Sequence, residues 1–226
     1  QNLSGKNLFD CQNPDDIFRS AASYSSLKTG IRVTILQEAP YMYACFKIVP
    51  ARFVVGNKIT ASWKTQTEAA DKYIVVMGYA NGVDDFKKIT ETSLGSTLTM
   101  TVEESYANLY KYVVVWLYAN RVVPLSKGEY VDYTDVQVEI GDAATEYEAY
   151  DGVPKSVTIT AVNGRKAAIP TVMTTTGVTI EKDGFAVSVQ AGTEYRIPEL
   201  ELKEGENLFT VTGTGLCLVK YQEGGL

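Results

Sequence analysis

Apolar and polar residues alternate along most of this chain. Ile31-Arg32-Val33-Thr34-Ile35 alternates, as does Ile59-Thr60-Ala61-Ser62-Trp63-Lys64-Thr65, a pattern that predicts strands with one face on a core and one toward solvent. Two denser runs, Tyr73-Ile74-Val75-Val76-Met77-Gly78-Tyr79 and Tyr112-Val113-Val114-Val115-Trp116-Leu117-Tyr118, predict strands covered on both faces, because β-branched and aromatic residues dominate them. In residues 130–140, Val136, Val138 and Ile140 fall on one face and Gln137 and Glu139 on the other, before Gly141-Asp142 breaks the strand.

Turn chemistry punctuates these runs. Gly56-Asn57 precedes the Ile59 strand and Asn81-Gly82 follows the Tyr73 strand. Asn163-Gly164 predicts a hairpin between residues 157–162 and 165–169, and Asp183-Gly184 predicts one between 178–182 and 185–189, since both dipeptides tolerate the positive φ of tight hairpin turns. Helical signals are confined to a capping start at Asn13-Pro14-Asp15-Asp16 and a short turn near Ser105–Leu109. Strands of similar length joined by polar turns indicate an all-β sandwich or jelly roll. A boundary falls at Asp151-Gly152-Val153-Pro154, where Gly and Pro interrupt pairing.

Composition narrows the function classes. The 226 residues carry 21 Lys+Arg against 27 Asp+Glu, a net charge of -6. That balance argues against general nucleic-acid binding, which leans on phosphate neutralisation. Histidine is absent, which removes the commonest general base and the Ser-His-Asp triad. Cys11, Cys45 and Cys217 are widely separated and read as buried thiols, with a Cys11–Cys45 bridge as the alternative. No apolar run is long enough to span a membrane. A chain that begins at Gln1 with no basic-then-apolar leader reads as part of a longer polypeptide.

Two segments carry resemblances. A strand ending Gln137-Val138-Glu139-Ile140-Gly141, followed by Ala144-Thr145-Glu146-Tyr147-Glu148-Ala149-Tyr150, resembles the closing strand of jelly-roll modules in phage tail and prophage structural proteins. Those modules are themselves similar to family 4/9 carbohydrate-binding modules. Leu202-Lys203-Glu204-Gly205-Glu206-Asn207-Leu208-Phe209-Thr210-Val211-Thr212-Gly213 resembles the closing hairpin of the C-terminal β-sandwich of phage distal tail proteins, where the Gly-Glu-Asn turn joins two late strands. The resemblance implies an N-terminal jelly-roll β-sandwich, residues 1–150, followed by a smaller C-terminal β-sandwich domain, residues 151–226. It implies a non-catalytic tail or baseplate component in the virion, in a homo-oligomeric ring, contacting other tail subunits or host cell-surface polysaccharide, with no nucleic acid and no membrane as partner. The alternative is a carbohydrate-binding module with a following β-domain, cut from a secreted bacterial glycoside hydrolase or adhesin.

Candidate chemistry is sparse. Trp116, Tyr118, Tyr79 and Trp63 are the candidate carbohydrate-binding residues, because sugars stack their C–H faces on such rings. They form a platform if their strands line one concave sheet, and the competing role for each ring is core filling. The carboxylate pairs Asp84-Asp85, Glu103-Glu104 and Asp132 with Asp135 are the remaining route to an enzyme, and neighbouring acids on a strand do not flank a sugar bond. No catalytic residues are assigned. Sugar-binding jelly rolls often hold a structural calcium, for which Asp132 and Asp135 are the nominal oxygen ligands.

Overall fold

A computed structural model describes residues 7–11, 18–20, 22–37, 43–66, 73–82, 84–93, 95–119, 125–150, 155–164 and 167–221. The backbone separates into two compact units, Lys6–Tyr150 and a second built on Asp151–Leu226. The sequence signals at Asn13-Pro14 and at residues 151–154 lie outside the described residues.

Among the described residues the first unit contains ten strands: β1 (Phe18–Ser20), β2 (Ala22–Leu27), β3 (Gly30–Ile35), β4 (Tyr43–Pro50), β5 (Lys58–Thr65), β6 (Ile74–Ala80), β7 (Phe86–Thr92), β8 (Thr97–Thr101), β9 (Tyr112–Tyr118) and β10 (Tyr130–Ile140). One helical turn, Glu104–Ala107, follows β8, where a short turn is expected. The strands form two five-stranded sheets ordered β1-β4-β9-β6-β7 and β2-β3-β10-β5-β8. Antiparallel pairs nest inside one another: β6 with β7, β5 with β8, β4 with β9, β3 with β10. Rolling that long hairpin brings β10 against β5 and β9 against β6. This is the double-sheet jelly-roll connection, and the chain is all-β as its alternation predicts.

Between the sheets lie Ile31, Val33 and Ile35 from β3, Ile59, Ala61 and Trp63 from β5, and Val131, Tyr133, Val136 and Val138 from β10. The β10 residues change parity between Tyr133 and Val136. A bulge between Thr134 and Gln137 absorbs the extra residue, so both halves of the strand face inward. Asp135 takes φ 49° there. The bulge's amides are satisfied by one residue: Asp135 N donates to Thr29 Oγ1 at 3.1 Å, and Val136 N donates to Thr29 O at 2.9 Å. Gly30 begins the strand beside it because a Cβ there would meet Tyr133 O at 2.0 Å.

Beyond the start of β3, the second half of β10 needs another neighbour. Asn7 supplies it with a side chain. Its Nδ2 donates to Val136 O at 3.1 Å and its Oδ1 accepts from Val138 N at 3.1 Å, as a strand peptide would. Leu8 N then donates to Val138 O at 2.6 Å. On the outer side of β10, Gln137 and Glu139 are buried and capture the tail after Ile140. Glu139 accepts from Thr145 N at 2.9 Å, from Thr145 Oγ1 at 2.8 Å and from Gln137 Nε2 at 2.7 Å. Gln137 Oε1 accepts from Glu148 N at 2.7 Å. Asn7 Nδ2 also donates to Glu148 O at 3.0 Å. Burial of polar groups at this density is tolerated because each is hydrogen-bonded.

The second unit contains β11 (Lys155–Asn163), β12 (Thr171–Thr174), β13 (Val178–Lys182), β14 (Phe185–Val189), β15 (Tyr195–Arg196), β16 (Gly205–Gly213) and β17 (Cys217–Lys220). They form a four-stranded sheet ordered β11-β16-β13-β14 and a three-stranded sheet ordered β15-β12-β17. Val172, Ile180, Leu200, Leu202, Phe209 and Val211 are central to its core. The Asp183-Gly184 hairpin forms between β13 and β14, with φ 51° and 81° at the two turn residues, the primed geometry that matches strand twist.

Two expectations are corrected here. The Asn163-Gly164 hairpin does not form: β11 pairs with β16 over its whole length, from Lys155 opposite Gly213 to Asn163 opposite Gly205. Ala168 bridges Leu202 instead, and Asn163 Nδ2 donates to Leu202 O at 3.2 Å. Gly205-Glu206-Asn207 is the start of β16, opposite Asn163, Val162 and Ala161 of β11, rather than a turn between two late strands paired with each other. Gly205 takes φ 92°. Asn207 clamps the preceding bend, accepting from Lys203 N and donating to Lys203 O, both at 2.8 Å.

Asn7→Ala leaves Val136 O and Val138 N without their partner inside a covered site. A loss of about 1–3 kcal/mol is expected, read as a lower urea midpoint at unchanged slope. An unchanged midpoint contradicts the role given to Asn7.

Candidate functional site

β6 and β9 are buried on both faces, as their dense apolar runs predict. The strand pairing sorts their side chains. Val75 lies opposite Leu117, Met77 opposite Val115 and Tyr79 opposite Val113, and these share the interior face. Ile74 lies opposite Tyr118, Val76 opposite Trp116, Gly78 opposite Val114 and Ala80 opposite Tyr112, on the other face. Ile74, Val76, Ala80, Val114 and Trp116 pack there as a second apolar cluster, flanked by Tyr112 and Tyr118.

The four predicted carbohydrate-binding rings therefore do not form one platform. Trp63 sits on β5 in the opposite sheet, 3% exposed and facing the sandwich interior. Tyr79 is fully buried from the facing sheet. Its hydroxyl accepts from Glu103 N at 2.9 Å, and its ring stacks on Tyr106 with centroids 5.2 Å apart. Burial raises its pKa first, with the Glu103 backbone contact opposing. Only Trp116 and Tyr118 share the outer face. Period-two parity is correct within each strand, but it cannot say which face of which sheet points outward.

The outer face gains residues that parity alone does not bring together. Phe86 opens β7 opposite Ala80, and its ring meets Trp116 edge-on with centroids 5.7 Å apart. Phe86 is 55% exposed while Trp116 is 4% exposed, so Trp116 is the floor and Phe86 the accessible rim. Lys47 Nζ lies 4.9 Å from the centre of the Tyr112 ring, a cation–π contact. Lys88 and Glu91 pair at 2.9 Å on β7. Gly78 is required where β7 shifts register, since the Lys87 carbonyl occupies the place of a Cβ, at 2.1 Å. Tyr118 is positioned from behind: Tyr133, buried between the sheets, donates its hydroxyl to Tyr118 O at 2.5 Å. Burial, then Tyr73, holds the Tyr133 phenol well above its ordinary pKa. No signal in the sequence pointed to Phe86, because it starts a strand of Lys and Thr residues without apolar alternation.

The two nominal calcium ligands face away from one another's use. Asp132 receives a bidentate pair from Arg32, at 2.6 and 2.8 Å, and Arg32 also lies over the Tyr130 ring at 3.7 Å. Asp135, in the bulge, pairs with Lys64 Nζ at 2.7 Å. Among the described residues no group of three or more His, Cys, Asp or Glu side chains converges. Of the other acidic pairs, Asp85 accepts from Asn81 Nδ2 at 2.7 Å in the β6–β7 loop, and Glu103 precedes the helical turn in which Glu104 stands.

Trp116→Ala should cost about 3–5 kcal/mol, as for a buried aromatic ring, whereas Phe86→Ala should shift the unfolding midpoint by less than about 1 kcal/mol. Equal losses in calorimetry contradict the floor-and-rim arrangement. The Lys64 hydrogen bond is the main cause that lowers the Asp135 pKa. A depressed carboxylate contributes stability above its unfolded pKa and loses it as pH falls through the folded value. Lys64→Met should therefore shrink the stability lost between neutral and acid pH, and an unaltered acid limb contradicts the pairing. Comparison with protein-family models and with curated proteins yields no match, so the functional reading rests on the residues themselves.

Proposed function

We propose that this chain is a non-catalytic structural component of a phage or prophage tail or baseplate, and that the outer face of β4-β9-β6-β7 contacts glycan on the host surface. One observation carries the reading: half-buried Tyr112 and Tyr118 and exposed Phe86 surround a covered Trp116 on a single sheet face. Rings held at such a face present π surfaces to sugar C–H groups, and the Tyr hydroxyls, Lys47 and Lys88 furnish polar contacts at its rim. The binding energy of one such face is modest. Repetition around a symmetric tail ring raises it through effective concentration, so a weak site suffices. The resemblance of Gln137–Tyr150 and Leu202–Gly213 to tail modules supports the assembly context.

A pull-down on purified bacterial cell walls, with a glycan array alongside, tests the reading. Tyr118→Ala and Phe86→Ala should each weaken binding roughly tenfold, or about 1.4 kcal/mol, at unchanged circular dichroism. Tyr130→Ala, on the other sheet's outer face and 51% exposed, should bind as wild type does. Equal binding by all variants sinks the proposed face, and absence of binding by wild type reduces the chain to a scaffold.

A further inference from the structure

Asn81 follows Ala80, the last residue of β6, which lies opposite Tyr112 of β9 on one side and Phe86 of β7 on the other. One step further the backbone still reaches toward β7, where Asn81 N donates to Asp85 O at 2.9 Å. Toward β9 the side chain takes over. Its Oδ1 accepts from Lys111 N at 2.8 Å and its Nδ2 donates to Leu109 O at 3.2 Å. It thus offers the amide of one residue and the carbonyl two residues earlier the partners that an adjacent strand supplies. Asn7 makes the same pair of bonds to Val138 N and Val136 O of β10. The other hydrogen of Asn81 Nδ2 reaches Asp85 Oδ2 at 2.7 Å. One amide therefore ties Asp85, the residue before Phe86, to Lys111, the residue before Tyr112.

The start of β7 needs such a tie. Its ladder to β6 shifts register between Met77 and Gly78, and only Lys88, Lys87 and Phe86 pair beyond the shift. Phe86 is the terminal residue of that short stretch and is 55% exposed, so its ring has little packing of its own besides the edge of Trp116. The three side-chain bonds of Asn81 lie in exposed loops. Water competes for them there, and each adds little to global stability. Their loss is felt locally, in where the two rings stand.

We propose that Asn81 is the positioning residue of the aromatic rim: its amide sets where Phe86 and Tyr112 stand around Trp116. The inference rests on the glycan-contact reading of this face and extends it from the rings to the residue that places them. The chemistry calls for an amide. Nδ2 faces two acceptors, the Asp85 carboxylate and the Leu109 carbonyl, while Oδ1 faces a donor, the Lys111 amide. A carboxylate at position 81 keeps the Lys111 bond but sets like charge against Asp85 and an acceptor against Leu109 O, so the tie between the two segments opens. Asn81 was legible in the sequence as a turn residue. Its use as a rung between β9 and the β6–β7 loop depends on which strands flank Ala80.

Asn81→Asp in the whole chain tests it, read by tryptophan emission, by the cell-wall pull-down and by the urea midpoint. Trp63, 3% exposed on the other sheet, contributes a constant background to the emission, and Phe86→Ala calibrates the red shift produced when the ring leaves Trp116. Asn81→Asp should shift emission toward that of Phe86→Ala and weaken binding to a level between wild type and Phe86→Ala, with the midpoint little moved. Adding Asp85→Asn returns a donor to face position 81 and should bring emission and binding back toward wild type. Emission that stays at the wild-type value in Asn81→Asp, or that Asp85→Asn does not restore, overturns the positioning role. A midpoint that falls as far as that of Trp116→Ala also overturns it, because Asn81 then serves the fold as a whole. Shifted and restored emission without wild-type binding to cell walls upholds the role of Asn81 and sinks the glycan reading instead. If Asn81→Asp does not fold, Asp85→Ala, which removes only the bond to Nδ2, should shift emission the same way, and an unshifted spectrum overturns the proposal.

Discussion

The first unit depends on closing both exposed flanks of β10. This strand is paired with β3 on one side and β5 on the other, and it sits centrally in its sheet. Its second half outruns β3, and its outer face carries an amide and a carboxylate rather than apolar groups. Unpaired, those groups would face a large desolvation cost. Asn7 completes the ladder, and the tail at Thr145 and Glu148 completes the outer face. The same few hydrogen bonds thus tie the beginning and the end of the unit to its central strand. The Gln-Val-Glu sequence before the tail is in this light a tail-capturing device, with Val138 pointing into the core and its two neighbours pointing out.

The two outer faces of the jelly roll consequently differ in kind. One is closed by the chain's own polar tail and by the Arg32–Asp132 pair. The other presents aromatic side chains around Trp116. A sheet buried on both faces normally has a partner layer, as the apolar strands of α/β proteins have helices. Here the second apolar layer is small and rimmed by rings that retain exposure. Tyr133 links the layers, since its hydroxyl reaches from the interior to the Tyr118 carbonyl.

The two Gly-containing turns of the second unit have different outcomes. Asp183-Gly184 makes its hairpin because the flanking strands Val178–Lys182 and Phe185–Val189 match each other in length. Asn163-Gly164 has equal turn chemistry, yet Ala168 beyond it bridges Leu202 rather than returning along β11. Asn163 is then used for its side chain, on Leu202 O, rather than for its backbone. Asn207 is similarly recruited to brace the Lys203–Gly205 bend.

Local alternation determined the strands themselves. β9, β13 and β14 begin and end where the apolar period begins and ends, and the dense runs of β6 and β9 announced burial on both faces, because side-chain direction in a strand follows directly from residue spacing. The edge strand β7, Phe86-Lys87-Lys88-Ile89-Thr90-Glu91-Thr92, carries no such period, so nothing in the chain marked it. Tertiary structure decided everything that depends on which strands meet. It separated Trp63 and Tyr79 from Trp116 and Tyr118, brought Phe86 to the Trp116 ring, and gave Asp132 and Asp135 to Arg32 and Lys64. Parity says which residues of one strand look the same way. Only the rolled order of the sheets says whether that way is inward or outward, and the choice between a core ring and a contact ring lies there.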